Sequence, residues 1–433
     1  MYAESTPRGR GGISTLRISG NLTGRILAAL TGHDSWPAHV QIPVVIKDSQ
    51  GRDVEKAMVV FHPAPRSYTG EDVSEISCHG NPLIVGRIMG LIRDTGLARR
   101  AEKGEFTRRA FLNGKLDLAQ AEAVGALIEA RSESGVEMAK TLLQGGLSRE
   151  LESIAAALQG VLSEIEASFI LEDVQSSPDS LALPVEQVAS DIEDLLRGAE
   201  NASRLYTGVI TTIAGLPNAG KSSLFNAILG YPRAIVHEEE GTTRDILREH
   251  LTVSGIDFVF HDTAGIRTAS SGPEEIGIRN TMEMLQKSHL VLYVVDATAG
   301  LSPGEEEWLR LGEKTITVMN KADLVEERPP QAGGDGAVWV SAKYGSGLDD
   351  LFAAMTARFP QDLPRIFLER HAYLLSRARE SLMQFLSSAR QGVTPDALAI
   401  DLGSALENIR EITGEGVHGD ILDRIFERFC VGK

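Results

Sequence analysis

At 433 residues, 42% of them apolar, the chain is too long for one core, and two or three domains are expected. A net charge of −17 argues against a general nucleic-acid coat. No apolar run approaches a bilayer span, so no membrane partner is expected. Two cysteines, Cys78 and Cys430, cannot make a disulfide framework or a zinc site, and the polar opening to Gly12 carries no secretory signal. A reducing, cytoplasmic location is expected.

Residues 1–115 read as a mixed α/β domain, with strands at 13–18, 40–47, 56–62 and 73–78 and a helix at 82–93. This part holds 16 Lys and Arg against 11 Asp and Glu. Its basic cluster (Arg99, Arg100, Lys103, Arg108, Arg109, Lys115) is either an RNA-facing patch or a solvated loop. Residues 116–207 read as helical: Leu147, Leu151, Ile154, Leu158, Leu162, Ile165 and Phe169 step by three and four along one stripe. Pro178 and Pro184 are expected to interrupt this pattern, with helix again over 185–206. Residues 208–358 alternate strands (209–214, 258–261, 290–295, 315–319, 338–340) with helices, the pattern of a doubly wound parallel sheet. Residues 359–433 return to helix, with stripes Leu374, Ala378, Leu382, Phe385, Ala389 and Leu398, Leu402, Ala405, Ile409, Ile412. Each helical part needs a partner for its stripe, and the two flank a module able to fold alone. A discontinuous helical domain with an inserted α/β module is the simplest burial.

The inserted module carries the chemistry. Gly215-Leu216-Pro217-Asn218-Ala219-Gly220-Lys221-Ser222 joins a strand to a helix opening at Ser223, which is the required context for a phosphate-cradling loop. Glycines turn backbone amides onto phosphate oxygens, Lys221 neutralises β/γ charge, and the Ser222 hydroxyl suits Mg2+. In order downstream come Asp262-Thr263-Ala264-Gly265, Asn320-Lys321-Ala322-Asp323 and Ser341-Ala342-Lys343. Asn320 and Asp323 suit guanine, which presents an acceptor at position 6 and donors at N1 and the 2-amino group. Binding and hydrolysis of GTP are expected.

Many small GTPases orient the attacking water with a glutamine just after the Asp-Thr-Ala-Gly turn. Ile266 stands there and offers no hydrogen bond, so help must come from elsewhere. Asn218 is suited to hold a monovalent cation beside the phosphates, or is simply a turn former. Gly241-Thr242-Thr243-Arg244-Asp245 reads as a first switch. Glu274 is either within reach of a water or a helix N-terminal acid.

Further motifs lie outside the module: Thr6-Pro7, Gly9 to Gly12, Leu16-Arg17-Ile18-Ser19-Gly20, Ser67-Tyr68-Thr69-Gly70-Glu71-Asp72-Val73, Gly104-Glu105-Phe106-Thr107, the run Arg109 to Ala123, and Phe429-Cys430-Val431-Gly432-Lys433. With these the chain resembles, over essentially its whole length, the tRNA-modification GTPase family called MnmE or TrmE. The resemblance implies an N-terminal domain that dimerises and binds 5-formyltetrahydrofolate or a related tetrahydrofolate, a discontinuous helical domain and a Ras-like insert. It implies a homodimer with K+ in place of an arginine finger. The implied partner is the FAD-dependent MnmG (GidA), in a heterotetramer or larger complex. Together they would install a carboxymethylaminomethyl or aminomethyl group at C5 of the wobble uridine of tRNA. Arg17, Glu75, Lys115 and Lys433 match folate-contacting positions, and Ser222 and Thr243 the Mg2+ positions. Asn218, Thr242 and the carbonyls of His237 and Glu239 match the K+ positions. Glu274 matches the catalytic glutamate and Cys430 a cysteine needed for modification; read without the family, Cys430 is a small buried hydrophobe.

Three departures stand out. The segment before Gly241 is unusually acidic (His237-Glu238-Glu239-Glu240). The usual His-Gly-Gly reads His79-Gly80-Asn81, where asparagine suits a positive φ. The opening strand is a few residues short. Two alternatives remain open from the motifs: a regulatory GTPase switch in ribosome assembly, and a folate-dependent transferase that uses GTP only for timing.

Overall fold

The computed structural model of the chain describes residues 1–170, 178–231, 235–238, 248–261, 287–301, 314–326, 336–359 and 363–432. In chain order, the N-terminal part comprises β1 (Tyr2–Glu4), β2 (Ile13–Ser19), α1 (Thr23–Thr31), β3 (Ile42–Lys47), β4 (Asp53–His62), β5 (Val73–His79), α2 (Pro82–Asp94) and α3 (Glu105–Leu112). Five helices follow: α4 (Leu118–Glu129), α5 (Glu133–Leu143), α6 (Gly146–Ile170), α7 (Pro178–Leu196) and α8 (Ala199–Thr207). The nucleotide module shows β6 (Val209–Ala214), α9 (Lys221–Leu229), β7 (Ile235–Glu238), β8 (Arg248–Val253), β9 (Ile256–His261), β10 (Leu290–Asp296), β11 (Thr315–Asn320), β12 (Val338–Val340) and α10 (Leu348–Thr356). Helices α11 (Glu369–Arg390), α12 (Pro395–Thr413) and α13 (Gly419–Phe426) close the described chain.

Two compact units result. One holds Met1–Ile128, Leu142–Val188 and Glu380–Lys433; the other holds Glu129–Thr141 and Ala189–Arg379.

In the first unit an antiparallel sheet of order β1-β2-β5-β4-β3 alternates buried and exposed residues, so one face is apolar. Leu16, Ile18, Ile46, Val59 and Ile76 pack there against Ile26 and Leu27 of α1 and Ile88 and Ile92 of α2. The opposite face carries Arg17 paired across strands with Glu75. Helix α6 buries Leu147, Leu151, Ile154, Leu158 and Ile165, and α12 buries Leu398, Leu402, Ala405, Ile409 and Ile412. The Arg410 guanidinium of α12 donates to Gln159 Oε1 of α6 at 3.2 Å. Apolar stripes from before and after the insert therefore close on each other, which removes both from water.

The second unit is built on a seven-stranded sheet, β12-β11-β10-β6-β9-β8-β7. Strand β10 is buried along its apolar length, as a central strand covered on both faces must be. The five strands read from the sequence are parallel, but β8 pairs antiparallel with β9 and with β7. The sheet is mixed, which corrects the all-parallel expectation. The missed strands are an edge hairpin rich in charge (Arg248-Glu249-His250; His237-Glu238), where the run of apolar residues that marks a central strand is not needed. At the turn of the β8–β9 hairpin, the Gly255 carbonyl accepts from both the Ser134 N–H (3.1 Å) and its hydroxyl (2.9 Å) at the start of α5.

Two local expectations also fail. Pro184 lies inside α7 rather than ending it; Pro178 occupies the first helical position, where a missing N–H costs nothing. Asn81 is extended (φ −106°), and its side chain caps α2 by accepting from the Leu83 N–H. The capping role explains this asparagine, so no positive φ is involved.

Candidate functional site

Phosphate-loop geometry follows from three residues. Gly215 has φ +144°, and a Cβ there would stand 2.2 Å from the Val294 carbonyl oxygen. Gly220 has φ +94°, and its Cβ would stand 2.2 Å from Asn320 Nδ2. Asn218 adopts φ +64°, a region asparagine tolerates better than most residues. The turn-forming reason for Asn218 is thus present in the backbone.

Lys221 opens α9 and donates to the carbonyls of Gly215 (3.0 Å) and Leu216 (2.9 Å). Burial pulls its ammonium below the ordinary lysine pKa. An anion would gain from replacing those carbonyls. Ala219 is buried while Ser222 and Ser223 are exposed, so the start of the helix is accessible.

Asn320 ends β11 and is almost wholly buried. Its Nδ2 donates to the Ala219 carbonyl at 3.0 Å and its Oδ1 accepts from the Ala342 N–H at 3.1 Å. One side chain therefore ties the phosphate loop to the 341–343 loop. The Ser341 hydroxyl donates to Asp323 Oδ1 at 2.5 Å. Lys321, at φ +62°, bonds Asp296 at 2.5 Å. Burial raises the Asp296 pKa, but the Lys321 bond and two contacts from Thr298 prevail and hold it low. Lys343 lies 5.0 Å from the centre of the exposed Tyr344 ring. Asp296 had no signal as a partner in the sequence; its place at the end of a parallel strand, beside β11, is the physical reason for it.

Several expected site residues lie outside the described residues: Glu239, Thr242, Thr243, Asp262, Thr263, Ala264, Gly265, Glu274 and Lys433. His237 is placed as backbone in β7, opposite His250.

The first unit brings a second set together. Arg17 bonds Glu75 Oε1 through Nη2 (2.7 Å) and Nε (3.0 Å), and its guanidinium lies 5.6 Å from the ring centres of both Tyr68 and Phe106. A planar cation between two aromatic rings, with a carboxylate beside it, fits a flat heterocycle bearing amino groups. Lys115 donates to the Pro65 carbonyl at 3.1 Å, on the loop that carries Tyr68. Of the basic cluster, Arg99 and Arg109 are spent on Glu105, Arg109 also on Glu71, and Arg108 on Asp423. Half of that cluster is drawn into ion pairs, and Arg100 and Lys103 are exposed members that form no ion pair among the described residues.

The C-terminal motif docks on the same unit. Phe429 packs with Leu118, Ala121, Leu422 and Phe426. Gly432, at φ +100°, lies so close to β1 that a Cβ would meet the Glu4 carbonyl at 2.4 Å. Cys430 is exposed, against its reading as a small buried hydrophobe. Among the described residues no helix is long and apolar enough to cross a membrane.

A strand–glycine loop–helix at the end of a central parallel strand, cross-linked to two further loops at the same sheet edge, defines a P-loop nucleotide-binding protein. Residues 1–115 match the family described as "GTP-binding protein TrmE N-terminus", and residues 118–430 match the "MnmE helical domain". The chain belongs to the MnmE (TrmE) family. It is 38% identical to the tRNA modification GTPase MnmE of Heliobacterium modesticaldum across 100% of this chain and 99% of that one. To the protein of the same name from Geobacter sulfurreducens it is 37% identical, over 100% of both. For Thermotoga maritima the figures are 36%, 100% and 99%. Among solved structures, the G domain of the T. maritima FeoB iron transporter is 25% identical over 35% of this chain and 98% of its own, with a TM-score of 0.26.

Proposed function

We propose that this chain is a GTP hydrolase of tRNA modification, with the triphosphate in the 215–222 loop and the base against Asn320, Asp323 and residues 341–343. The observation that carries this reading is the Asn320 bridge, which ties the loop suited to phosphate to the 341–343 loop suited to the base. Lys221 exchanges its two carbonyls for β/γ-phosphate oxygens. Backbone amides of 219–222 take up charge as a water oxygen attacks the γ-phosphorus and the bond to the β–γ bridging oxygen breaks. Glu274 orients that water in place of the glutamine that Ile266 replaces.

Ser222 and Thr243 would hold Mg2+. Asn218, Thr242 and the carbonyls of His237 and Glu239 would hold K+; when bound, both ions would supply positive charge against the developing phosphate charge. The exposed Asn218 at the loop apex fits that donor set. Two copies would meet through their nucleotide modules. Arg17, Glu75, Lys115 and Lys433 would bind a tetrahydrofolate such as the 5-formyl form. With the flavin-dependent MnmG, the protein would act at C5 of the wobble uridine, with Cys430 taking part.

The test is GTP turnover by the full chain in K+ against Na+, paired with nucleoside analysis of tRNA from cells lacking the protein. Faster turnover in K+ and loss of the C5-substituted uridine are expected. Equal rates in the two salts would remove the K+ assignment, and an unchanged nucleoside profile would favour the ribosome-assembly alternative.

A further inference from the structure

The N-terminal sheet presents an ordered grid on the face away from α1 and α2. Arg17, Glu75 and Val60 stand abreast; two residues along come Thr15, Ser77, Met58 and Pro43. Two further along are Ile13 beside His79, and Lys56 beside Val45. At about 3.4 Å per residue, Lys56 lies about 14 Å along the strands from the Arg17–Glu75 pair. A cavity of about 690 Å³ opens over the last two rows, lined by Ile13, Pro43, Met58, Ser77, Lys47 and Lys56 among others.

Its chemistry is graded. Ile13 is 69% exposed and Met58 36%, an apolar surface next to the charged pair. Beyond it stand two cations that form no ion pair among the described residues, Lys47 and Lys56. Of the acids at this end, Glu55 bonds His79 at 2.6 Å and Asp48 holds Arg52 and Arg87, while Asp53 lines the cavity opposite Lys47 in the strand register. Lys115, by contrast, is at the other end of the sheet and already holds a carbonyl.

We infer that this cavity is a subsite for the γ-linked glutamate chain of a folate, so that the ligand is a polyglutamylated folate. The inference rests on the proposed reading of Arg17 and Glu75 as pterin contacts. From that pair the aminobenzoyl ring crosses Ile13, Met58 and Pro43, and successive carboxylates reach Lys56 and Lys47. Exposed charge pairs are individually weak, so two of them give a preference of about 5- to 20-fold over a monoglutamate.

The experiment is calorimetric titration of the full chain with 5-formyltetrahydrofolate as mono- and triglutamate, for the parent and for Lys47→Glu/Lys56→Glu. Both substitutions are on exposed side chains. The triglutamate is expected to bind about 5- to 20-fold tighter, and the double variant to lose that preference with monoglutamate affinity kept. Equal affinities in the parent, with monoglutamate binding still lost in Arg17→Ala, overturn the subsite and leave the folate reading standing. Binding of neither ligand overturns both. A preference abolished by Lys115→Ala instead sends the tail the other way and refutes the inference. A double variant that loses the preference and also changes sedimentation refutes it too, since a second copy would then cover this face.

Discussion

Replacing Asn320 by alanine tests the nucleotide site at its most concentrated point. The side chain is 2% exposed, and its loss strands the Ala219 carbonyl and the Ala342 N–H, each now paired at 3.0 and 3.1 Å. A buried main-chain group left unpaired costs about 1–3 kcal/mol, so the nucleotide module should lose about 2–5 kcal/mol. Affinity for a fluorescent GDP should fall by at least ~100-fold, since about 2.8 kcal/mol of loop organisation and base contact disappears. Gly220→Ala supplies an internal control. Its new Cβ would clash with Asn320 Nδ2 at 2.2 Å, at φ +94°, which costs about 1–3 kcal/mol of overpacking and about 1 kcal/mol of backbone strain. With Asn320 already removed the clash vanishes, so the double variant should be less destabilised than the sum by about 1 kcal/mol or more. Stability is read by urea unfolding of the nucleotide-free protein and affinity by titration. If Asn320→Ala binds GDP within threefold of the parent, or if the two substitutions add, the bridge does not organise the site.

Glu105 gives a pH prediction. Burial raises its pKa, but bonds from Arg99, the Glu102 N–H and Arg109 prevail and leave it at about 2. A depressed carboxylate stabilises the fold above its unfolded pKa near 4.5 and loses that contribution as pH falls towards 2. Glu105→Gln should therefore cost about 3 kcal/mol at pH 7, with parent and variant converging in unfolding experiments near pH 2. A constant gap across that range would show that the charge is not the cause. Lys221→Ala should reduce GTP affinity by more than ~100-fold, through a lost charge-assisted contact; retained binding in a filter assay would displace Lys221 from the phosphates. Glu75→Gln keeps the size but not the charge beside Arg17, and should weaken folate binding about tenfold without altering GTP turnover. A matching loss in both assays would mean a general structural defect.

Much of this was legible because the signals were redundant. The strands beneath the phosphate loop are continuous apolar runs, and the Gly215 to Ser222 motif fixes the loop. The α6 and α12 stripes repeat the helical period over several turns, so their burial was foreseeable. What failed was decided by non-local partners. The edge strand β7 and its neighbour β8 are half polar and look like loops until β9 supplies hydrogen bonds to β8, and β8 to β7. Pro184 reads as a stop, yet α7 continues through it. The basic cluster looked available for RNA because Glu71, distant in sequence, and Glu105 within the run could not be seen to take up its arginines. Tyr68 and Phe106 carry no signal of their own in the sequence; their place around Arg17 needed the tertiary fold.

The β8–β9 ribbon is fastened at its bend, where Ser134 grips Gly255 twice. Strand β9 is also held by β6 and β8 by β7, so the ribbon cannot move apart from its sheet, and strain on the sheet is passed through this rivet to α5.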